Sequence, residues 1–291
     1  MNGQLATSQP VRGELQLRFA YHKHRQRTDL ISSAQRMPLQ VIRAFPLDDS
    51  GALVHVHNLS GGVLGGDQLS MNVEVGNAAH VQLTTTSATR LYRHRAHLPP
   101  ARQTNHLAVK EDALLEYLPD QLIPFAGSRY QQHTLIELAE GASLFWWEVV
   151  APGRVAKDEL FEYDLLSMKT EIRARNQPVA IEQATLEPHL RRLTSFSKLA
   201  DYPYFCSFYI CKVGLEAARW EDLENELQVL ARQHSHKHET YWGVSTLIAE
   251  GLVIKGVSTQ GRNLPSGLYA FWQAAKMSLH GQMAKLPRKV Y

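Results

Sequence analysis

Short runs in which apolar and polar residues alternate fill the first two hundred positions and predict half-buried β-strands. The clearest run is residues 69–75, where leucine, methionine and valine alternate with serine, asparagine and glutamate. Further alternation predicts strands at residues 53–57, 79–85, 134–138, 161–165 and 179–181. Turn residues such as Gly76-Asn77 separate these runs, so the sequence predicts a mainly β protein.

A weak internal repeat lies within the predicted strands. Segments that start at Val75, Val109 and Leu138 share an apolar strand end, three turn residues, an alanine and a further alternating run. The aligned alanines are 34 and then 29 residues apart. A β-helical or solenoid-like stack of short strands would explain such a period, because each unit would bury its apolar face against its neighbours. A β-sandwich with similar turns is the alternative, and the uneven spacing leaves it open.

Two α-helices are predicted beyond these strands, near the C-terminus. In residues 217–236, apolar side chains recur at steps of three and four. Acidic residues come early in this segment and Arg232 comes late, which is the charge order that the helix dipole favours. Residues 266–280 have a second apolar face, with Ser266 as the expected cap and Gly281 as the expected end.

Composition narrows the class of protein without identifying a function. The 291 residues are 44% apolar and 20% charged, as in a globular protein, and no long linker divides them, so one domain is expected over 1–291. The net charge of +3 is too even to favour nucleic-acid binding. The absence of a signal-peptide pattern and of a membrane-spanning apolar run favours the cytoplasm. Cys206 and Cys211 lack the second pair of a zinc site and are expected to be core thiols.

Residues 60–95 carry the most informative pattern in the chain. Two glycine pairs precede an acid in the segment GGVLGGD, which ends at Asp67, and residues 84–93 read TTTSATRLYR. This ordered pattern resembles the UreD (also called UreH) family of urease accessory proteins, in which G-G-x-x-G-G-D leads into T-T-x-x-A-T/S-K/R-x-Y-R. Weaker similarity extends from Gly13 to Leu286-Pro287-Arg288, while residues 255–265 match the family poorly.

The resemblance implies a β-helical fold with two helices and a scaffold or chaperone role without a reaction of its own. It implies that the protein binds apo-urease and the accessory protein UreF, and recruits the GTPase UreG through UreF. Neither nucleic acid nor membrane is an implied partner. The implied task is insertion of nickel into the dinickel site of urease, with Ni²⁺ bound transiently and no cofactor held tightly. The GTPase would supply the directional energy.

The resemblance also implies an interior polar passage for nickel, with four candidate residues. Asp67 carries over from the glycine motif and Thr89 from the Ala-Thr-Arg segment, while Glu148 and Glu182 rest on looser alignments. A buried carboxylate is costly unless it is paired or bound to a cation. Carboxylates and hydroxyls are weak, exchangeable ligands, which suits passage better than storage. Asp67→Ala is therefore predicted to leave assembly intact and to lower nickel loading.

Other interpretations of the same segment stay open. The glycine segment lacks the Lys-Ser/Thr of a P-loop, and tight packing between strands would account for its glycines as well as a channel does. Arg90, Tyr92 and Arg93 are residue types found in interface hot spots, which makes them candidates for partner binding. Ordinary cross-strand packing with arginine stems on the surface is an equal alternative.

Two further hypotheses come from different function classes. A metal-dependent hydrolase on an all-β scaffold would use Asp67, Glu148 and some of the histidines, and a β-rich binding protein would have no connection with nickel. The nucleophile elbow, the H-E-x-x-H motif and the dinucleotide-binding glycine motif are absent from the sequence, which lowers the weight of an enzyme. The His-x-His-x-His segment at 234–238 is interpreted as a solvated helix end, with weak metal binding as the alternative.

Overall fold

The structure, a computed structural model, describes residues 10–47, 50–195 and 199–286. These residues form eighteen β-strands and two α-helices. The first nine strands are β1 (Arg12–His22), β2 (Arg27–Arg36), β3 (Leu39–Gln40), β4 (Ala44–Leu47), β5 (Gly51–Asn58), β6 (Gln68–Val75), β7 (His80–Thr85), β8 (Thr89–Leu91) and β9 (Ala101–Val109). The others are β10 (Leu114–Tyr117), β11 (Leu122–Pro124), β12 (Arg129–Leu138), β13 (Ser143–Val150), β14 (Leu165–Ala174), β15 (Gln177–Leu186), β16 (Tyr204–Lys212), β17 (Thr240–Thr246) and β18 (Gly251–Ser258). The C-terminal Pro287-Arg288 lies outside the described residues.

The described strands belong to two sheets, and the chain alternates between them. The first sheet has the order β15-β14-β12-β9-β6-β1-β2, and the main path of the second is β17-β18-β16-β13-β10-β7-β5-β3. From β5 to β14 successive long strands fall in opposite sheets. Neighbours within each sheet run parallel there, as in β6, β9, β12 and β14, and in β5, β7, β10 and β13. Antiparallel strands complete the edges. The expectation of a mainly β protein is confirmed.

The three repeat units lie side by side in register. Val75 pairs with Val109, and Val109 pairs with Leu138, at the ends of neighbouring strands in the first sheet. The chain then turns towards the second sheet, where the buried alanines of successive units follow one another. The amide that follows Ala113 donates to Ala79 O over 2.9 Å, and the corresponding amide of the next unit donates to Ala113 O over 2.8 Å. The repeat is therefore a series of equivalent corners.

Both faces of the second sheet are buried, since two apolar clusters share it. The larger cluster lies between the sheets and takes side chains from both, including Leu144 and Trp146 of β13. The smaller cluster lies between the second sheet and the helices and takes the alternate residues Phe145 and Trp147. Because successive side chains of a strand point to opposite faces, one apolar run serves both clusters.

The helices α1 (Ala217–His234) and α2 (Leu264–His280) pack on the outer face of the second sheet, and α2 is the one near the C-terminus. Helix α2 begins two residues before the predicted start, because Leu264 is buried and Pro265 is tolerated in a first turn. The predicted cap is wrong: Ser266 lies inside the first turn and its hydroxyl donates to Asn263 O over 3.0 Å. The predicted end at Gly281 is confirmed by its φ of +64°. No helix among the described residues is apolar over enough of its length to cross a bilayer.

The strand predicted at residues 161–165 is wrong except for its last residue. Strand β14 begins at Leu165, and Phe161 has a φ of +58°, in the left-handed region that no strand residue adopts. The aromatic alternation there comes from side chains that fill the core from a loop. Cys206 and Cys211 are free and buried, as expected of core thiols, and burial raises the pKa of each to about 12.

Candidate functional site

A row of polar residues crosses the interior face of the first sheet. Asn105 of β9 pairs with Thr134 of β12, Thr134 pairs with Thr170 of β14, and Thr170 pairs with Glu182 of β15. All four occupy the inward phase of strands whose other inward positions are mostly apolar. A buried polar group is tolerated when it has a hydrogen-bond partner, so a whole row implies a connected network.

Side-chain hydrogen bonds connect the β9 and β12 part of this row. Asn105 Nδ2 donates to Thr134 Oγ1 over 3.1 Å, and Gln103 Nε2 donates to Asn105 Oδ1 over 3.0 Å. The hydroxyl of Tyr130 lies 3.1 Å from Gln103 Oε1 and 3.0 Å from Gln132 Oε1. Five amide and hydroxyl side chains therefore meet between the sheets, and the Tyr130 hydroxyl bridges the two glutamines.

Glu148 faces this network from the second sheet. Gln132 Nε2 donates to Glu148 Oε1, which ties the carboxylate to the opposite sheet. Burial raises the pKa of Glu148 to about 7, while the hydrogen bond from Gln132 acts in the opposite direction and the charge of Glu182 raises the pKa further. The side chain is consequently an acid that changes its protonation state near neutral pH.

Glu182 lies at the edge of the same interior, in a different electrostatic setting. Its carboxylate accepts a hydrogen bond from the Tyr209 hydroxyl and forms an ion pair with Lys255. Burial acts to raise its pKa, but Lys255, Tyr209 and Ser207 stabilise the ionised form more strongly, so the pKa lies below its ordinary value. Glu148 and Glu182 form a pair of carboxyl groups that the environment pushes towards different protonation states.

A cavity of about 100 Å³ lies near the C-terminal ends of β7, β10 and β13. Its inner wall includes Gln103, Asn105, Gln132 and Glu148. Loop residues 86–88, of which Ser87 is exposed, form part of its rim together with Thr89. The structure thus brings two predicted site residues, Thr89 and Glu148, to one cavity and continues their polar surface inward. We use the name polar band for three connected parts. They are this cavity, the hydrogen-bonded network of β9 and β12 that includes Tyr130, and Glu182 with its partners Tyr209 and Lys255.

Asp67 is buried but does not line the cavity. Its carboxylate oxygens accept hydrogen bonds from two backbone amides, Val11 N at 3.1 Å and Leu64 N at 2.9 Å. One oxygen thus binds the glycine segment and the other binds Val11, the residue just before β1, so Asp67 joins the two segments. Two glycines of that segment, Gly61 and Gly62, do border the cavity. The predicted role of Asp67 in nickel transfer stays a prediction, since its direct contacts are with backbone.

Arg90 and Tyr92 lie against the glycine segment next to Thr89, while the side chain of Arg93 lies beside Gly127. Tyr92 packs edge-on against Phe125 with ring centroids 5.1 Å apart, and its hydroxyl donates to Gly61 O over 3.2 Å. The side chains of Arg90 and Arg93 are exposed. Tyr92 therefore has a packing role, while the two arginines present their charges to solvent, Arg90 directly next to the rim residue Thr89.

The other metal candidates from the sequence do not assemble. His236 and His238 are exposed in the turn after α1, and the ring of His234, at the helix end, lies 6.3 Å from that of Phe271. No group of three or more His, Cys, Asp or Glu side chains arranged to hold a metal ion occurs in residues 10–47, 50–195 and 199–286. Within the described residues, the oxygen groups of the polar band stand separately and form no single metal centre.

Sequence reasoning missed most of the polar band. Gln103, Asn105, Gln132 and Thr134 sit at inward positions of β9 and β12, and they interrupt an otherwise apolar phase. That interruption is the signal that could have identified them, because polar residues in the core phase of a strand need a reason to be there. Lys255 gave no comparable signal, since it is a single charged residue whose partners lie on strands distant in sequence.

The fold and site together define a class: a mainly β protein with a carboxylate-containing polar band between its sheets. A comparison with protein families matches residues 11–291 to the UreD urease accessory protein family. The chain is 42% identical over 281 residues to the urease accessory protein UreD of Herpetosiphon aurantiacus, covering 97% of each chain. It is 30% identical over 274 residues to the protein of the same name from Aliivibrio fischeri, covering 92% of each. The chain belongs to the UreD family of urease accessory proteins.

Proposed function

We propose that this protein is a urease maturation factor that passes nickel along the polar band. In this proposal it binds apo-urease, binds UreF, and recruits the GTPase UreG through UreF, and it catalyses no reaction itself. Family membership supports the role in urease maturation, and the resemblance supports the named partners. The observation that carries the nickel passage is Glu148, a half-buried carboxyl group that lines the cavity and joins a network of amides and hydroxyls between the sheets.

The chemistry of the polar band fits a divalent cation in transit. Carboxylate, amide and hydroxyl oxygens bind Ni²⁺ less tightly than imidazole or thiolate clusters, so a cation can leave as readily as it arrives. A cation next to Glu148 favours its ionised form and displaces its proton, because the pKa of the carboxyl group is close to neutrality. Glu182 is ionised already and offers the next anionic oxygen along the path.

Thr89 and Asp67 take different roles at the cavity rim in this proposal. Thr89 presents a hydroxyl to the cavity where the cation enters or leaves. Asp67 holds the glycine segment whose Gly61 and Gly62 form part of the wall. Loss of the Asp67 carboxylate would thus act on the passage through the position of that wall.

We also propose that the alternating strands make a β-helical core. The support is the regular change of sheet from β5 to β14, the parallel pairing within each sheet, and the stacked corners of the repeat. In such a coil, equivalent positions of successive turns form continuous rows, and a polar row becomes a continuous polar surface.

The test combines nickel content with assembly. Glu148→Gln and Glu182→Gln variants would be coexpressed with urease and its other accessory proteins, and nickel per urease active site would be measured. Both variants are expected to copurify with urease as the wild type does and to deliver substantially less nickel. Glu137→Gln, on the solvent face of β12 beside His106, is the matched control and is expected to deliver nickel normally. Normal nickel content in both interior variants would contradict the passage.

A further inference from the structure

We infer that Lys255 is a built-in counter-cation that weakens divalent-metal binding at the Glu182 end of the polar band. This inference rests on the proposed function and adds a residue that sets how tightly the cation is held. Lys255 lies in residues 255–265, where the chain matches the family pattern poorly.

The side chain of Lys255 is half exposed, and its ammonium group is in contact with the Glu182 carboxylate. Nζ forms an ion pair with Glu182 Oε1 and donates a hydrogen bond to Ser207 Oγ over 2.7 Å. The same nitrogen lies 5.7 Å from the ring centroid of Tyr209, within the range of a cation–π contact. Three partners therefore hold one side chain that is half exposed: Glu182 on β15 of the first sheet, and Ser207 and Tyr209 on β16 of the second.

The strand register places Lys255 in the same cross-strand row as Glu148. Glu148 of β13 pairs with Ser207 of β16, and Ser207 pairs with Lys255 of β18. The inward side of this cross-strand row thus runs from a carboxyl group through a hydroxyl to an ammonium group. Glu182 reaches the same place from β15 of the first sheet, so β13, β15, β16 and β18 all contribute to this end of the polar band.

The charges at this end explain what the ammonium group does. The ionisable groups that face one another are Glu148, Glu182, Tyr209 and Lys255, and Lys255 is the cation among them. Without Lys255, Glu148 and Glu182 would face an arriving Ni²⁺ with no competing cation, and they would bind the metal tightly. With Lys255 present, the metal must first displace an ammonium group that is already paired, and binding is correspondingly weaker.

A counter-cation of this kind favours release over retention. A transfer path needs each site to be weak enough for the cation to move on, and an internal competitor achieves this without removing the carboxylate. Arginine at the same position would keep the positive charge. Methionine would remove the charge and keep most of the side-chain volume.

The test is equilibrium nickel binding by the full-length chain, measured by competition with a chromophoric chelator. Lys255→Met is expected to bind Ni²⁺ at least about tenfold more tightly than the wild type, which corresponds to one decade of the dissociation constant. Lys255→Arg is expected to remain within about threefold of the wild type. The double variant Lys255→Met, Glu182→Gln is expected to lose the gain. If Lys255→Met does not fold, as judged by circular dichroism, Lys255→Gln takes its place.

The outcomes separate this inference from the proposal on which it rests. If neither Glu148→Gln nor Glu182→Gln lowers nickel affinity, the metal does not use the polar band and both ideas are wrong. If Glu148→Gln lowers the affinity while Lys255→Met leaves it unchanged or weakens it, the passage stands and the role of Lys255 is wrong. A gain shared by Lys255→Met and Lys255→Arg would also overturn the inference, since arginine keeps the charge.

Discussion

Glu148 couples the stability of the protein to pH. Burial raises the pKa of its carboxyl group from the ordinary 4.5 to about 7. Between these two values the unfolded chain has lost the proton while the folded chain still holds it. Stability contributed by the protonated acid is therefore present in full below pH 4.5, falls as pH rises towards 7, and stays constant above that.

We predict that Glu148→Gln removes this dependence, because the amide carries no titrating proton. From pH 4.5 to 7.5, the free energy of unfolding of the variant should improve relative to the wild type by up to about 3 kcal/mol, at 1.36 kcal/mol for each pKa unit. Urea denaturation across this range measures the difference. A difference that stays constant with pH would show that the folded carboxyl group titrates as it does in the unfolded chain.

Gly62 is required by the close approach of two backbones. A Cβ atom there would lie 2.5 Å from Arg90 O and 2.5 Å from Tyr92 Cε2, which is closer than van der Waals contact allows. Gly62→Ala is therefore predicted to destabilise the fold by about 1–3 kcal/mol in urea denaturation.

The matched control for this prediction is Gly243→Ala in β17, where nothing lies within 4 Å of the added atom. That change is expected to alter stability by at most about 0.5 kcal/mol. Equal effects of the two substitutions would mean that the glycine segment can move away from Tyr92 without cost.

At the scale of elements, α2 is attached to the second sheet by a buried ion pair. Lys276 Nζ donates to Glu116 Oε1 over 2.8 Å, and Trp272 Nε1 donates to Glu116 Oε2 over 2.6 Å. His80 contacts the same carboxylate at 2.6 Å from the sheet side. Burial acts to raise the pKa of Glu116, but His80 and Lys276 outweigh it and lower the pKa, so the acid is held ionised.

Lys276→Met is predicted to destabilise the protein by about 3–5 kcal/mol, because it leaves a buried carboxylate without its cation. Urea denaturation, followed by circular dichroism, measures the loss. Lys169→Met is the control, since Lys169 pairs with Glu171 on an exposed face and its loss should cost at most about 1 kcal/mol. Similar losses for the two lysines would contradict the anchoring role of the buried pair.

The sequence predicted elements well where one local period dominates. Residues 69–75 and 79–85 alternate cleanly, and both are strands to within a residue or so; Gly281 ends its helix as predicted. Phe161 misled the prediction because a loop can place aromatic side chains in a core at the spacing of a strand. Most residues of the polar band could not be predicted from the sequence, because the band depends on pairing between strands that are distant in the chain. Examples are the pairs Asn105 with Thr134 and Glu148 with Ser207.

At the scale of the whole molecule, the cavity rim and the exposed arginines share one region of the surface. Arg90 is exposed next to Thr89, which borders the cavity, and Arg93 is exposed four positions after Thr89. In the proposed passage, a partner that receives or delivers the cation covers this opening, and we expect these arginines to meet acidic residues of that partner. Family membership makes urease and the other accessory proteins the partners to try.

Arg90→Glu and Arg93→Glu are each predicted to weaken copurification with one partner by roughly tenfold, the scale of an interface hot spot. Pull-down titration against urease and against UreF separately would show which partner is affected. Arg36→Glu, an exposed arginine on the edge strand of the other sheet, is the control and is expected to bind both partners normally. Normal binding of both partners by both variants would remove this surface from consideration.

Trp147 and Glu148 are consecutive residues of β13 that face opposite layers of the molecule. Trp147 lies edge-on to Trp272 of α2 with ring centroids 6.0 Å apart, while Glu148 points towards the interior network. The two residues are joined by one peptide bond within the same strand. A shift of α2 against the Trp147 ring would therefore reach Glu148 through the backbone of β13, without a loop between them.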